Sequence, residues 1–210
     1  IRLSLVGSEM CIRDSSINSP HLFKLIFDIL FAAVALLVAF PIILLGMLLI
    51  VLIDFQNPLF FQIRIGKNKK QFTIIKLRTM KNNRITTLGN VFRKTGIDEL
   101  PQLLNIISCS MSFVGPRPLT AADIARLGWH DEYHATRWNC KPGLTGLAQL
   151  SPSCNKKMSW FLDKKYIQCN SILLDLKILF SSFAVIFLGK SAAGSLTHLI
   201  KSSEPPVDLK

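Results

Sequence analysis

Carboxylates are scarce in this chain and unevenly placed. The 210 residues hold 13 Asp and Glu against 25 Lys and Arg, a formal net charge of +12 with a sequence pI of about 9.8. Between Arg64 and Lys94 lie ten Lys or Arg and no acid at all. The five cysteines, Cys11, Cys109, Cys140, Cys154 and Cys169, show neither a CxxC pair nor Cys/His metal spacing. Their odd number argues against a disulfide framework, and reduced thiols in a cytoplasmic compartment are the plain reading. There is no Walker sequence and no GxGxxG, so neither a P-loop nor a dinucleotide fold is indicated. His130 and His134 stand at i, i+4 with Asp131, Glu132 and Tyr133 between them, which is not the HExxH order of a zinc site. No nucleic-acid-reading motif accompanies the basic charge, so nucleic acid is not taken as a partner.

Charge is also absent from Ile29 to Ile53, a run of 25 residues interrupted only by Pro41 and Gly46. As a helix it would measure ~37 Å against a hydrocarbon core of ~30 Å. The run is too long for a secretory signal, and no small-residue cleavage site follows it. The chain is therefore read as membrane-attached, with the basic stretch after Ile53 facing the cytoplasm and an anionic leaflet. Pro41 removes a hydrogen bond near the middle. A kinked spanning helix is the reading that the residues alone favour. The alternative is a turn back to the side of entry, with each arm of about 12 residues crossing one leaflet.

Along the chain, residues 1–20 are set aside as a non-native or disordered leader. Residues 21–54 are expected to form the membrane helix, 55–190 a domain on the cytoplasmic face, and 191–210 a loose tail ending "KSSEPPVDLK". "FTIIKL" is an extended candidate; "DELPQLLNII", "AADIARLGWHDEYHATRW" and "SILLDLKILFSSFAVIFLG" carry helical patterning. The uncharged stretch Ile178–Leu188 is too short to span and suits a core or interfacial helix.

Asp98 and Glu99 end the basic run at the start of an apolar stripe, Leu100, Leu103, Leu104 and Ile107. Asp98 is placed to be an N-cap, with Pro101 in the first turn. Free N–H groups there, with Arg93 and Lys94 alongside, are expected to keep Asp98 ionised, as a nucleophile requires. Two acids in a basic cleft also suit Mg²⁺ bridged to a diphosphate. In "SFVGPRP" two prolines flank Arg117, so a bidentate phosphate donor is presented from a stiff loop. Arg78 joins Arg93, Lys94 and Arg117 as a phosphate-binding candidate. "KPGLTGLAQL" supplies Gly143 and Gly146 for close backbone approach. Taken one at a time, each motif also has an ordinary structural reading: a helix cap, a tight turn with a solvated arginine, a flexible loop.

In this order the motifs "FKLIFD", "NPLFFQIRIG…FTIIKLRTM", "LGNVFRKTGIDELPQLLNII", "MSFVGPRP", "KPGLTGLAQ" and "DLKIL" resemble the bacterial sugar transferase family, the monotopic polyprenyl-phosphate phosphoglycosyl transferases. The match runs from about Phe23 to Leu188. The resemblance implies transfer of a sugar-1-phosphate from a UDP-sugar to undecaprenyl phosphate with release of UMP and use of Mg²⁺, at the cytoplasmic face of the bacterial inner membrane. It implies a covalent phosphosugar on Asp98, a metal and second-half-reaction role for Glu99, and phosphate contacts from Arg93 and Arg117. Lys24 and Asp28 would meet substrate or a lipid headgroup, and Pro41 would break a re-entrant helix, which replaces the spanning reading. The lipid bilayer and downstream glycosyltransferases follow as partners.

The implied fold is α/β, mostly helical and membrane-associated (monotopic), with one Pro-broken re-entrant helix, interfacial amphipathic helices and a small sheet element. This chain departs from the family at Leu25, Phe40, Gly96, Cys109 and Ser110 and in the short stretch after Gln149. None of these is Asp98, Glu99, Arg93 or Arg117. Two rival classes stand beside the enzyme: a catalytically silent basic membrane-binding module and a single-pass membrane protein.

Overall fold

The structure, a computed structural model, describes residues 19–151 and 155–192. Apart from residues 19–20 and 191–192, the leader and tail lie outside it.

The apolar run forms α1 (Ser19–Leu49), extended by a π-helical turn, Ile50–Asp54, that stops where Phe55 turns left-handed (φ 50°). α1 passes through Pro41 as one helix rather than two. A proline in a helix costs a hydrogen bond, but Ala39 and Ile43 on either side are buried against the rest of the protein and hold the flanking turns. One face of α1 is a continuous packed stripe: Asp28, Ala32, Ala35, Ala39, Ile43, Gly46, Ile50 and Asp54, three or four residues apart, the spacing of one helical face. Small residues in the stripe permit close approach; a Cβ on Gly46 would lie 3.0 Å from Leu77. The opposite face is different. Leu30, Val34, Leu37, Val38 and Leu45 are each more than half exposed. Among the described residues one segment, Leu22–Asp54, is long and apolar enough to cross a membrane.

The expected extended segment is β2 (Gln71–Leu77), paired antiparallel with β1 (Leu59–Ile65) from Leu59↔Leu77 to Ile65↔Gln71. Two residues each of β3 (Met80–Lys81) and β4 (Arg84–Ile85) form a small ribbon. α2 (Thr87–Thr95) follows, capped by the Thr86 hydroxyl accepting from the Gly89 N–H. Gly96 (φ 73°) ends it and at once begins a 3₁₀ turn, Ile97–Gln102, which runs into the short α3 (Leu103–Ile107). "DELPQLLNII" is thus helical in two short pieces. Asn105, buried in α3, completes the edge of β2 with its side-chain amide: Nδ2 donates to the Thr73 carbonyl (2.8 Å) and Oδ1 accepts from the Ile75 N–H (3.1 Å).

β5 (Ser112–Val114) pairs in parallel with β6 (Gly143–Thr145). Between them lie α4 (Ala121–Leu127), closed by a Thr120–Asp123 capping box, and a 3₁₀ stretch, Glu132–Asn139. The continuous helix expected over 121–138 is divided because Gly128 (φ 66°) stops α4 and Asp131 caps a new start. α5 (Leu147–Leu150), α6 (Lys156–Gln168) and α7 (Ile172–Ala192) complete the described chain. One core unites α1 (Ala32) and its π-helical extension (Ile50) with β2 (Ile74), α3 (Ile106), β5 (Val114), α6 (Leu162) and α7 (Ile178). α1 is therefore part of the packed body, not an appendage to it.

The two loops singled out in the sequence meet at β5 and β6. The Gly115 N–H donates to the Thr145 carbonyl (2.9 Å) and the Gly143 N–H to the Pro116 carbonyl (3.0 Å). A Cβ on Gly143 would stand 2.1 Å from the Gly115 nitrogen, closer than any side chain can come. Gly143→Ala must therefore part the loops, with an expected cost at or above the ~1–3 kcal/mol of overpacked interiors. A clear drop in the thermal unfolding midpoint of the detergent-solubilised protein checks this, and an unchanged midpoint contradicts it.

Candidate active site

Glu99 opens onto a cavity of about 530 Å³ that also receives Lys76, Arg64 and Arg117. Its floor is Gly96, Gln102 and Leu103, and its far wall is apolar, from Phe31, Ala35 and Ala39 of α1 and Leu179 and Phe183 of α7. The 3₁₀ turn puts two consecutive acids in different surroundings: Asp98 is 8 % exposed and, like Arg93, lies behind the cavity lining, whereas Glu99 is partly open onto it. Lys76, projecting from β2, donates to Glu99 Oε1 at 2.6 Å. Because Asn105 clamps α3 to the same strand, the position of Lys76 relative to the acids is fixed by backbone.

Asp98 is not the N-cap. Gly96 takes that place, since only a left-handed residue both ends α2 and starts the next turn without a gap. The helix that follows is short, so its dipole contributes little. Burial, then the Glu99 charge, push the Asp98 carboxyl up to about 6, while Lys76 and Arg93 pull it back. The cations act in the expected direction but are outweighed by desolvation and a like charge. Above pH 6 the carboxylate is nevertheless the majority form.

Arg117 is the exposed residue in an otherwise buried run, Met111–Leu119. Behind it stands Arg137, 3 % exposed. Arg137 Nη2 donates to the Arg117 carbonyl (2.6 Å) and Nε to Asp163 Oδ2 (3.0 Å), while its guanidinium lies 5.3 Å from the ring of Trp129 and 5.2 Å from that of Trp138. Burial raises the Asp163 carboxyl and the Arg137 charge opposes it; the two side chains meet as a buried pair at 3.0 Å behind the loop. Arg64 fixes the other side of the loop, donating to the Pro118 carbonyl (3.1 Å) and to Asp123 (3.3 Å).

The remaining candidates divide. Arg93 reaches Asp98 electrostatically and is anchored by Nε donating to the Thr79 hydroxyl (2.8 Å). Lys94 is exposed and does not line the cavity. Arg78 is also off its wall: it donates to the carbonyls of Asn57 (2.9 Å) and Leu59 (3.1 Å) and ties down the chain entering β1. Lys24 pairs with Asp175 and Asp28 accepts from the Ser112 hydroxyl (2.7 Å), so both join α1 to the body. Sequence reading passed over Lys76, Arg64, Arg137 and Asn105. For Lys76 a signal was present, a lone cation within the apolar run of "FTIIKL"; for the other three the signal is in the fold. Among the described residues no group of three or more His, Cys, Asp or Glu could hold a metal. Asp98 and Glu99 are two hard oxygen donors, which fits Mg²⁺, an ion commonly held by one or two carboxylates and the phosphates of a substrate.

A family model described as bacterial sugar transferase matches residues 19–189. The chain is 40% identical over 173 residues to the uncharacterized sugar transferase EpsL of Bacillus subtilis (strain 168), covering 74% of this chain and 83% of that one. It is 32% identical over 197 residues to the exopolysaccharide production protein ExoY of Sinorhizobium fredii, across 79% of this chain and 86% of that one. With the UDP-glucose:undecaprenyl-phosphate glucose-1-phosphate transferase of Caulobacter vibrioides it shares 36% identity over 183 residues, 74% of this chain and 66% of that protein. The chain belongs to the bacterial sugar transferase family.

Were Asp98 the attacking group, its elevation to about 6 would set the position of the acid limb of the pH–rate profile. Activity should climb through about pH 6, and Lys76→Met, which removes a cation that lowers Asp98, should move that limb to higher pH. In the folded state Asp98 keeps its proton beyond the ordinary carboxylate range, so its ionisation costs stability as pH rises from there to about 6. Asp98→Asn should therefore melt no lower than the parent at pH 7.5. An acid limb near pH 4, or a destabilised Asp98→Asn, contradicts this.

Proposed function

We propose that this bacterial sugar transferase moves a sugar-1-phosphate from a UDP-sugar to undecaprenyl phosphate through a covalent intermediate on Asp98. The observation that carries the reading is one cavity with two characters. Glu99, Lys76, Arg64 and Arg117 form a charged end, and α1 and α7 form an apolar wall. A soluble nucleotide sugar and a lipid-borne phosphate can both reach such a site. The relatives named for undecaprenyl-phosphate transfer support the same reaction.

In the first half-reaction an Asp98 carboxylate oxygen attacks the sugar-proximal phosphorus. The bond from that phosphorus to the bridging oxygen breaks, and UMP leaves with the electron pair. In the second, a phosphate oxygen of undecaprenyl phosphate attacks the same phosphorus and the Asp98 carboxylate is released. Each step sets an anion against an anion, so the barrier falls where fixed cations neutralise the developing charge. Arg117, stiffened by its prolines and by Arg137, presents a bidentate donor. Lys76 holds Glu99 ready beside the nucleophile and adds positive charge. Mg²⁺ held by Asp98 and Glu99 would supply further charge to the diphosphate.

The same reading seats α1 in the cytoplasmic leaflet of the bacterial inner membrane as a re-entrant element that changes direction by bending at Pro41 within one continuous helix instead of breaking there. Contacts at both of its ends support this. Lys24 near the start binds Asp175, and Asp54 after the end accepts from the Thr86 hydroxyl (2.8 Å), both on the same packed body. A straight crossing would carry the two ends to opposite faces. The product, a lipid-linked sugar diphosphate, is the substrate class of downstream glycosyltransferases.

Membranes containing the protein, given undecaprenyl phosphate and a panel of UDP-sugars, should release UMP from at least one donor. Asp98→Asn should lower that release by several orders of magnitude while membrane binding persists. A cysteine introduced at Asn18 should resist an impermeant reagent applied from outside the cell. Full UMP release by Asp98→Asn would remove Asp98 as the attacking group, UMP release from no donor would leave a binding module as the better reading, and labelling at position 18 would restore the single-pass arrangement.

A further inference from the structure

β5 has a cavity on each of its faces. Phe113 lines the one containing Glu99, whereas Ser112 and Val114 line a second of about 470 Å³, as alternate residues of a strand must. This second cavity opens between the first turns of α1, the turn joining β1 to β2, and the loop entering β6. Those three segments bring Lys24, Lys67 and Lys141 to its wall, with Asp28 the carboxylate among the described lining residues.

The negative charge nearby is already engaged. Asp28 accepts from the Ser112 hydroxyl (2.7 Å) and the Phe113 N–H (3.5 Å). Asp175 is paired with Lys24 and accepts from the Tyr166 hydroxyl (2.8 Å). Burial pushes the Cys140 thiol in this wall up to about 11, so it offers no thiolate. The ammonium groups of Lys67 and Lys141 have no hydrogen-bond or ion-pair partner among the described residues. Two cations without a counter-charge, one of them half-buried in a cleft, attract an anion more strongly than the same charges in open water. The rim is apolar. Leu22 and Leu25 form it, and Leu22, Phe23 and Ile26 continue outward about half exposed, onto the bare face of α1.

We propose that this second cavity binds the phosphodiester headgroup of an anionic glycerophospholipid, at a site separate from the one around Glu99. The phosphate lies against Lys67 and Lys141, and the acyl chains leave over Leu22 and Leu25 along α1. Lysines suit a phosphate whose orientation is not critical, because an ammonium is a point charge. The site anchors α1 through lipid as well as through protein. It does not rest on the transferase reading, and its test does not use turnover.

The full chain in neutral detergent is titrated with phosphatidylglycerol, with phosphatidylcholine and with inorganic phosphate, and binding is read from the thermal unfolding midpoint and from lipid retained in native mass spectra. Phosphatidylglycerol should raise the midpoint saturably and remain bound, phosphatidylcholine should not, and inorganic phosphate should bind at least tenfold more weakly than the lipid. Lys67→Gln with Lys141→Gln should weaken phosphatidylglycerol at least tenfold. Lys69→Gln with Lys70→Gln, equal in charge but outside the cavity lining, should weaken it less than twofold. Equal losses in the two double variants would show attraction by diffuse charge and overturn the proposal. Inorganic phosphate binding as tightly as the lipid would assign the cavity to a soluble anion and overturn it as well. Lys67→Gln alone, on an exposed turn, serves if the double variant does not fold, with a loss of at least threefold expected and parental affinity contradicting the site.

Discussion

Gly115 and Gly143 touch backbone to backbone, with no room between them for a single carbon. That contact joins two loops 28 residues apart, and both contribute to the wall of the cavity into which Glu99 opens. On one side it fixes where the chain emerges at Arg117; on the other it leads into Thr145 and Gln149. Arg137 then supports the emerging loop from behind through the Arg117 carbonyl, itself held by Asp163 between two indole rings. A buried ion pair is a poor source of net stability, since desolvating two charges offsets their attraction. Its value here is position: an arginine carrying two directed hydrogen bonds sets the backbone of another arginine.

The charge distribution follows from the same logic. The chain gathers cations around the acid pair, and burial and a neighbouring acid raise the Asp98 carboxyl, the proposed nucleophile, to about 6. A carboxylate held much lower would be better stabilised and a weaker nucleophile. One that is partly desolvated still ionises at neutral pH and retains reactivity. Apolar side chains stand exposed on the bare face of α1 and at Phe180 and Phe183 of α7, and Phe183 also lines the cavity into which Glu99 opens.

Much of this was legible in the sequence. The apolar run, the extended "FTIIKL" and the acid pair at the end of the basic stretch each carry a local signal, and local signals survive folding. The parts that were not legible are those set by contacts distant in sequence. Arg78 looks like any phosphate-binding cation until the carbonyls of Asn57 and Leu59 are seen to occupy it. Lys24 and Asp28 read as headgroup contacts, yet their partners are Asp175 and Ser112, more than 80 residues away. Gly96 looked like a departure from the family and proves to be the residue that ends one helix and starts the next. Arg137 carries no motif of its own; its importance lies in what it touches.

The central claim is that the Asp98 side chain becomes bonded to phosphorus. Intact-mass measurement of the protein after exposure to its donor, with no lipid acceptor present, tests it most directly. The account predicts an added sugar phosphate that maps to Asp98 and disappears when undecaprenyl phosphate is supplied. A preparation that turns over yet never carries the added mass, and keeps its rate as Asp98→Ala, would contradict it.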